Sequence, residues 1–427
     1  MTTTTTTTTI RYDPLHTPSS FNTTPDGTTV VNVSSVEGLA TTLVLDPSTT
    51  PFIDNIFTAN PTITTFLFQP GNYSLVNTLV INTSGIQLIG ITGNSVDVHI
   101  TQTVTNDCIS IQGSNIVLQD LSFHCTFPNM VCLTVASSNN TLVTGCHFYG
   151  TNSGFTIYYA GPSGLTAGAA TLAAYTSYAL DIGNIFCYNV VYANYSGDSV
   201  SFTLQYNSQM VGNFVRGGEI AIYMCRSTNV YDNVDTDSTG NGIFVSFPSD
   251  NISLIGNKIY NSTYSALKMA NQIEQGAFTA YDYNITVRNN TIFNSKIYGI
   301  ELNYANGVAF YNNSVIYSAS MGIYSYQGTN LTIKYNKVAY FTYAVWLEMT
   351  TNSLVEHNKI MSIYPALGQN GIKLTSTSSG NTVSCNEMYG QFVYDITADS
   401  GSGDTVGVNP NIPYYTLQQE RSIFEII

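Results

Sequence analysis

The sequence predicts an all-β fold, a parallel β-helix solenoid of about 12 rungs, each 22–24 residues long. Three observations predict it. An Asn recurs near the end of a short apolar run, mostly at steps of 22–24 residues. A second motif, small–apolar–x–apolar, follows each Asn by roughly ten residues. No helical stretch of about a dozen residues, which a βαβ crossover needs, separates these runs.

The Asn column reads Asn189, Asn213, Asn257, Asn290, Asn313, Asn336, Asn358 and Asn386. Asp120 and Cys146 are expected to fill the slot earlier, and near 233–235 either Asn233 or Asp235 fits. The steps 146→189, 257→290 and 358→386 are long and mark insertions. The second motif appears as Ala221-Ile-Tyr-Met224, Gly242-Ile-Phe-Val245, Ala266-Leu-Lys-Met269, Gly299-Ile-Glu-Leu302, Gly322-Ile-Tyr-Ser325, Ala344-Val-Trp-Leu347 and Gly371-Ile-Lys-Leu374. One rung cannot bury its own apolar face, but stacked rungs share an interior of Ile, Val and Leu. Asn suits a tight turn because it tolerates the left-handed region, and stacked amides can hydrogen-bond along the axis.

Along the chain, residues 1–30 read as a Thr-rich flexible or partner-bound arm. Residues 31–61 read as an N-terminal cap, because an open solenoid end exposes unpaired edges. The β-helix is expected over 62–395, and 396–427 as a C-terminal cap or assembly tail.

Composition excludes several classes. The chain has 427 residues, 26 acidic against 12 basic, and a net charge of −14. No Lys or Arg occurs between Arg11 and Arg216, so phosphates could not be neutralised and nucleic-acid binding is excluded. No apolar run reaches 18 residues, so no transmembrane helix is expected. Met1 is followed by eight threonines, so an ordinary signal peptide is not expected either. Only 9% of residues are charged. That suits an acidic habitat, where few charges limit self-repulsion, and equally an uncharged β-rich extracellular surface. The seven cysteines show no CxxC and no His-paired metal spacing, leaving buried thiols or one or two disulfides, with an odd thiol over. Sequons such as Asn72, Asn139, Asn251, Asn261 and Asn330 would carry glycans if the chain meets a glycosylation pathway, though chance gives nearly as many.

Phe66-Leu-Phe-Gln-Pro-Gly-Asn-Tyr73, followed by Leu79-Val-Ile81 and Ile86-Gln-Leu-Ile-Gly90, resembles the opening rungs of the right-handed parallel β-helices of the pectate-lyase-like superfamily. The resemblance covers roughly 62–395. It specifies fold rather than function, since the architecture carries lyases, hydrolases, epimerases, adhesins and viral spikes. It implies that the second motif is the first strand of each rung, whose outer face often binds polysaccharide. The outward x positions then form one column: Tyr223, Phe244, Lys268, Glu301, Tyr324, Trp346 and Lys373. Stacked rungs lie about 4.8 Å apart, close to one sugar unit, so aromatic side chains at that pitch could stack on successive sugar faces. The alternatives are a ladder that merely stabilises the sheet, or a strip covered by another subunit. Insertions after Tyr158 and Met269 are expected to wall the groove, or to be neutral surface loops.

Catalytic candidates are few. Glu301, Glu348 and Glu274 could approach one another as paired carboxylates. The adjacent Asp pair and Gly-His-Gly of the superfamily's polygalacturonases are absent. Lys268 beside Glu301 echoes a lyase base, or is a surface ion pair. Asp232, Asp235 and Asp237 form the densest acidic cluster, readable as a calcium site or as a solvated turn. No cofactor is expected. These readings lead to a non-enzymatic, structural protein of a virion spike or fibre that binds a surface glycan or host receptor. Its terminal arms would hold other virion or surface proteins, and the resemblance to spikes implies a homotrimer. A polysaccharide lyase or glycoside hydrolase, and a cell-surface adhesin, are the alternatives. The expected location is the virion surface or the extracellular space.

Overall fold

A computed structural model describes residues 40–412, apart from 126, 129, 152–153, 163–174, 176, 178, 194–196, 247, 271–283, 363–368 and 400–402. The chain is a right-handed parallel β-solenoid. Its three long parallel sheets hold 15, 14 and 13 strands, so the coil makes about 14 turns, and a fourth sheet pairs Asp181–Ile182 with Gln205–Tyr206. We call the three long ones sheets I, II and III in that order. One turn runs through Ser253–Ile255 in sheet I, Lys258–Tyr260 in sheet II and Ser265–Ala270 in sheet III, and returns to sheet I at Thr286–Arg288. Sheet I also takes in Thr42–Leu45 near the N-terminal end and Thr405–Val406 near the C-terminal end.

Alternation builds the core. In three-residue strands such as Ser253–Ile255, only the middle residue is buried inside. Leu254, Val287, Phe310 and Ile333 therefore line up along the axis, each fully buried. Burial of one such side chain is worth about 1.5–3 kcal/mol. Stacking repeats that gain every turn.

The Asn column is a hydrogen-bonded ladder. From Asn189 through Asn213, Asn233, Asn257, Asn290, Asn313, Asn336, Asn358 and Asn386 to Asn409, each Oδ1 accepts from the backbone N–H and Nδ2 of the preceding Asn at 2.8–3.1 Å. Asn233, not Asp235, holds the undecided slot. The left-handed residue of the turn is the one before each Asn: Tyr188, Gly212, Asp232, Gly256, Asn289, Asn312, Tyr335, His357 and Cys385, with φ of 53–69°. Asp120 has that conformation too, at φ 55°, so it occupies the left-handed position and Leu121 the slot. Cys146 fills the slot as expected, its N–H donating to Asn189 Oδ1 at 2.9 Å.

The acidic cluster disperses. Asp232 and Asp237 are left-handed turn residues, with φ of 53° and 58°. Asp237 pairs with Arg216 at 3.0 Å. Asp235 points inward from Val234–Thr236 and is fully buried, with Ser238 Oγ donating to it at 2.5 Å. Period-two alternation sends 235 and its neighbours to opposite faces. Among the described residues no group of three or more His, Cys, Asp or Glu side chains is arranged to hold a metal ion.

Candidate functional site

Sheet III carries the longest strands, up to six residues. Each therefore presents several outward positions. The central column is Ala221, Phe244, Lys268, Glu301, Tyr324, Trp346 and Lys373. Tyr223 is not in it. Ala221 pairs with Phe244, and Tyr223 pairs with Ser246, in the next column, which continues through Ala270, Asn303, Tyr326 and Glu348. A shift of two residues keeps a side chain on the same face, so the motif alone could not fix this register. A third column, upstream, holds Ser265, Tyr298, Met321, Tyr343 and Asn370.

Two members expected at the surface are buried, Phe244 at 6% and Glu301 at 7% exposure. Phe244 meets the Tyr223 ring edge-on, with centroids 5.8 Å apart. Glu301 is enclosed by three donors: Ser265 Oγ at 2.5 Å, Asn303 Nδ2 at 2.8 Å and Lys268 Nζ at 3.2 Å. Three donors take most of its roughly four lone-pair sites, so it reads as an anchor for its neighbours more than as a free base.

Toward the C-terminal end the column becomes an aromatic platform. Tyr298 and Tyr324 stack at 5.2 Å, Tyr324 meets Trp346 edge-on at 6.0 Å, and Tyr343 leans on Trp346 at 4.9 Å. Lys373 Nζ lies 4.1 Å from the Trp346 ring centre, a cation–π contact. Tyr324 donates to Glu348 Oε2 at 2.8 Å. Burial first, and then that carboxylate, push the Tyr324 phenol up. Trp346 Nε1–H is shielded from water yet has no acceptor among the described residues.

Toward the N-terminal end lies a second group that the sequence reading did not single out. Asp198 and Glu219 are register partners on adjacent strands. Burial, with Glu219 adding to it, raises the Asp198 carboxyl to about 7, against a hydrogen bond from Tyr223. Burial also raises Glu219, opposed by the N–H of Asn241 at 2.8 Å and by Lys268. Lys268 thus stands between Glu219 and Glu301. Glu219 and Tyr223 share one strand, Glu219–Tyr223, four residues apart and on one face. That alternation was the available signal. Asp198 was hidden by the long 146→189 step just before its rung. Glu348 lies two strands beyond Glu301 and in the neighbouring column. Glu274 falls outside the described residues, as do most of the two insertions expected to wall the groove.

This architecture defines a right-handed parallel β-helix with a charged and aromatic outer face on one sheet. Residues 220–388 match a family model described as a right-handed β-helix region. No curated protein matches the chain in sequence. Among solved structures it is similar to the A-module of the Azotobacter vinelandii mannuronan C-5 epimerase AlgE6. The identity is 14%, covering 82% of this chain and 91% of that one, with a TM-score of 0.57. It is also similar to the Dettilon tailspike protein, at 12% identity, 86% and 68% coverage and a TM-score of 0.52. At these identities the likeness is one of fold. No described helix is long and apolar enough to cross a membrane.

Proposed function

We propose that this protein binds a polysaccharide lengthwise along the outer face of sheet III. The observation that carries the reading is the in-register strip from Lys268 to Lys373, where Tyr324 and Trp346 stand on successive rungs and Lys373 lies over the Trp346 ring. Aromatic faces take the apolar faces of sugar rings, and the flanking polar groups take hydroxyls. A mannuronan epimerase and a tailspike have the same fold, which supports a glycan as partner and a place outside the cell. The finer reading is a virion spike or fibre displaying this face to a host glycan. Binding is measured by affinity electrophoresis and calorimetry against neutral and acidic polysaccharides. Trp346→Ala is expected to weaken binding about tenfold, or about 1.4 kcal/mol, with an unchanged unfolding midpoint. Unchanged affinity in Trp346→Ala and Lys373→Ala would remove sheet III as the binding face. Antibody labelling of purified particles tests the virion placement.

A second reading, glycan cleavage, is favoured by one specific feature, the Asp198–Glu219 pair. A carboxyl titrating near neutrality can protonate a glycosidic oxygen while a neighbouring carboxylate acts as base or nucleophile. Reducing-end release by wild type, lost in both Asp198→Asn and Glu219→Gln, supports cleavage. Binding without turnover on every glycan bound rejects it.

A further inference from the structure

We infer that the interior of the solenoid carries an oxidation site, a disulfide between Cys108 and Cys125, with Cys132 as a third thiol packed against it. The inference is independent of the glycan reading. Cys108 and Cys132 each sit one residue before a strand of sheet III, and those strands, Ile109–Ile111 and Leu133–Ala136, pair in register. The two cysteines therefore stack on successive turns. Cys125 ends the sheet II strand Ser122–Cys125 and enters the same corner from the other side. Its side chain lies in the same core cluster as those of Cys108 and Cys132, and both thiols act on it. All three side chains are fully buried in the main core. Cys108 Sγ lies 3.8 Å from the His124 carbonyl and also reaches the Gln102 backbone, while Cys132 points its thiol at the Tyr149 carbonyl at 3.4 Å. Cys132 makes the shorter carbonyl contact, and we assign Cys108, whose Sγ lies beside the residue preceding Cys125, as the partner of Cys125.

A thiol is a weak hydrogen-bond donor and acceptor, so three of them gathered in a dry corner gain little as a polar cluster. Two already in contact need only rotate about their side-chain bonds to bring the sulfurs together. Two other cysteines are held differently. Cys146 and Cys225 direct their thiols to backbone carbonyls, at 3.4 and 3.3 Å. Cys385 lies exposed in an Asn turn.

The oxidant is a small-molecule disulfide such as glutathione disulfide. Both S–H bonds break and one S–S bond forms. Two protons leave, and the two electrons cleave the glutathione S–S bond to give two glutathione thiols. The bond joins the ends of a loop of more than a dozen residues and links two turns, so it constrains the unfolded chain. Burial in the folded core means that it forms as the chain folds.

The test uses the full chain refolded with glutathione disulfide or with reductant, then denatured and alkylated. The oxidised sample is expected to take up alkyl groups on five of its seven cysteines, the reduced one on all seven. Trypsin has no site between Arg11 and Arg216, and Pro128 blocks chymotrypsin after Phe127, so chymotrypsin cutting after Phe123 is combined with cyanogen bromide cutting after Met130 to separate the three peptides. A Cys108–Cys125 cross-link that persists in Cys132→Ser and is lost in Cys125→Ser supports the assignment, and the oxidised protein should melt several degrees higher. Alkylation of all seven thiols after oxidative refolding, or a cross-link between any other pair, overturns it. Mapping the unmodified chain decides the matter even where a variant does not fold.

Discussion

Gly240 and Gly217 make opposite demands on the backbone around Glu219. A Cβ on Gly240 would lie 1.8 Å from Glu219 Oε1. That oxygen is the end of a flexible side chain, so the chain can yield. Gly240→Ala is therefore expected to cost about 1 kcal/mol of stability, the low end for overpacking, since it is a side chain and not the backbone that must move. It should nonetheless push the carboxylate off the Asn241 N–H. Whatever glycan chemistry depends on Glu219 should suffer with the fold intact. Gly217 adopts φ 101°, and a Cβ there would meet the Ala193 carbonyl oxygen at 1.9 Å. Backbone cannot step aside, and the conformation is itself strained for any residue with a side chain. Gly217→Ala is expected to cost about 3 kcal/mol, the sum of overpacking and backbone strain. Urea unfolding of the two variants measures both, and equal losses would refute the distinction.

At the scale of the element, the Asn ladder is where sequence and structure agree most closely, for a physical reason. An amide offers a donor and an acceptor, so a stack of amides satisfies itself only if every turn supplies one. The chemistry forces the repeat into the letters. Alternation inside a strand carries no such label. It fixes the face of Tyr223 but not its column, because a slip of two residues leaves burial unchanged. The turn residue before each Asn was illegible for a related reason. Gly, Asn, Asp, Tyr, His and Cys all occupy it, so no residue type marks the left-handed position. Asp198 was lost behind an insertion that broke the count of rungs. Asn290→Ala tests the ladder. It strips the acceptor from Asn257 N–H and one of two acceptors from Asn257 Nδ2, and takes one donor from Leu254 O and one from Asn313 Oδ1, which keeps the backbone N–H at position 290. With each lost bond worth about 1 kcal/mol, a loss of about 4 kcal/mol is expected. Asn409→Ala, at the half-exposed end where water can substitute, should cost about 1 kcal/mol. Chemical denaturation reads both, and a ladder that contributes nothing would give two equal and small values.

At the scale of the whole molecule, the distribution of buried acids sets how the fold responds to pH. Burial raises the carboxyls of Asp120 and Asp181 to about 6 and Asp198 to about 7, and moves Glu219 and Asp235 the same way. In the unfolded chain such groups release their protons near pH 4. Between about pH 4 and 7 the folded chain therefore holds more protons than the unfolded one, and stability falls as pH rises through that window. The histidines oppose this. Burial, then the neighbouring His124, holds His147 down to about 4, and burial, then His99, lowers His124. Unfolding lets both take up protons below about pH 6.5, so they weaken the fold as pH falls. With Asp232, also raised by burial, six carboxyls outnumber the two imidazoles and the two exposed carboxyls, Asp46 and Glu356, that hydrogen bonds hold low, so the balance favours the acid side. The unfolding midpoint is expected to be several degrees higher at pH 5 than at pH 8, consistent with the low charge density that suits an acidic setting. Asp235→Asn keeps a polar group facing Ser238 Oγ but cannot ionise. It should raise the midpoint at pH 8 and shrink the difference between the two pH values. Thermal melts of both proteins across pH 4–8 decide it. A wild-type midpoint that climbs from pH 5 to pH 8 would mean that these carboxyls are ionised in the folded chain, and the interior would have to be hydrated around Asp235.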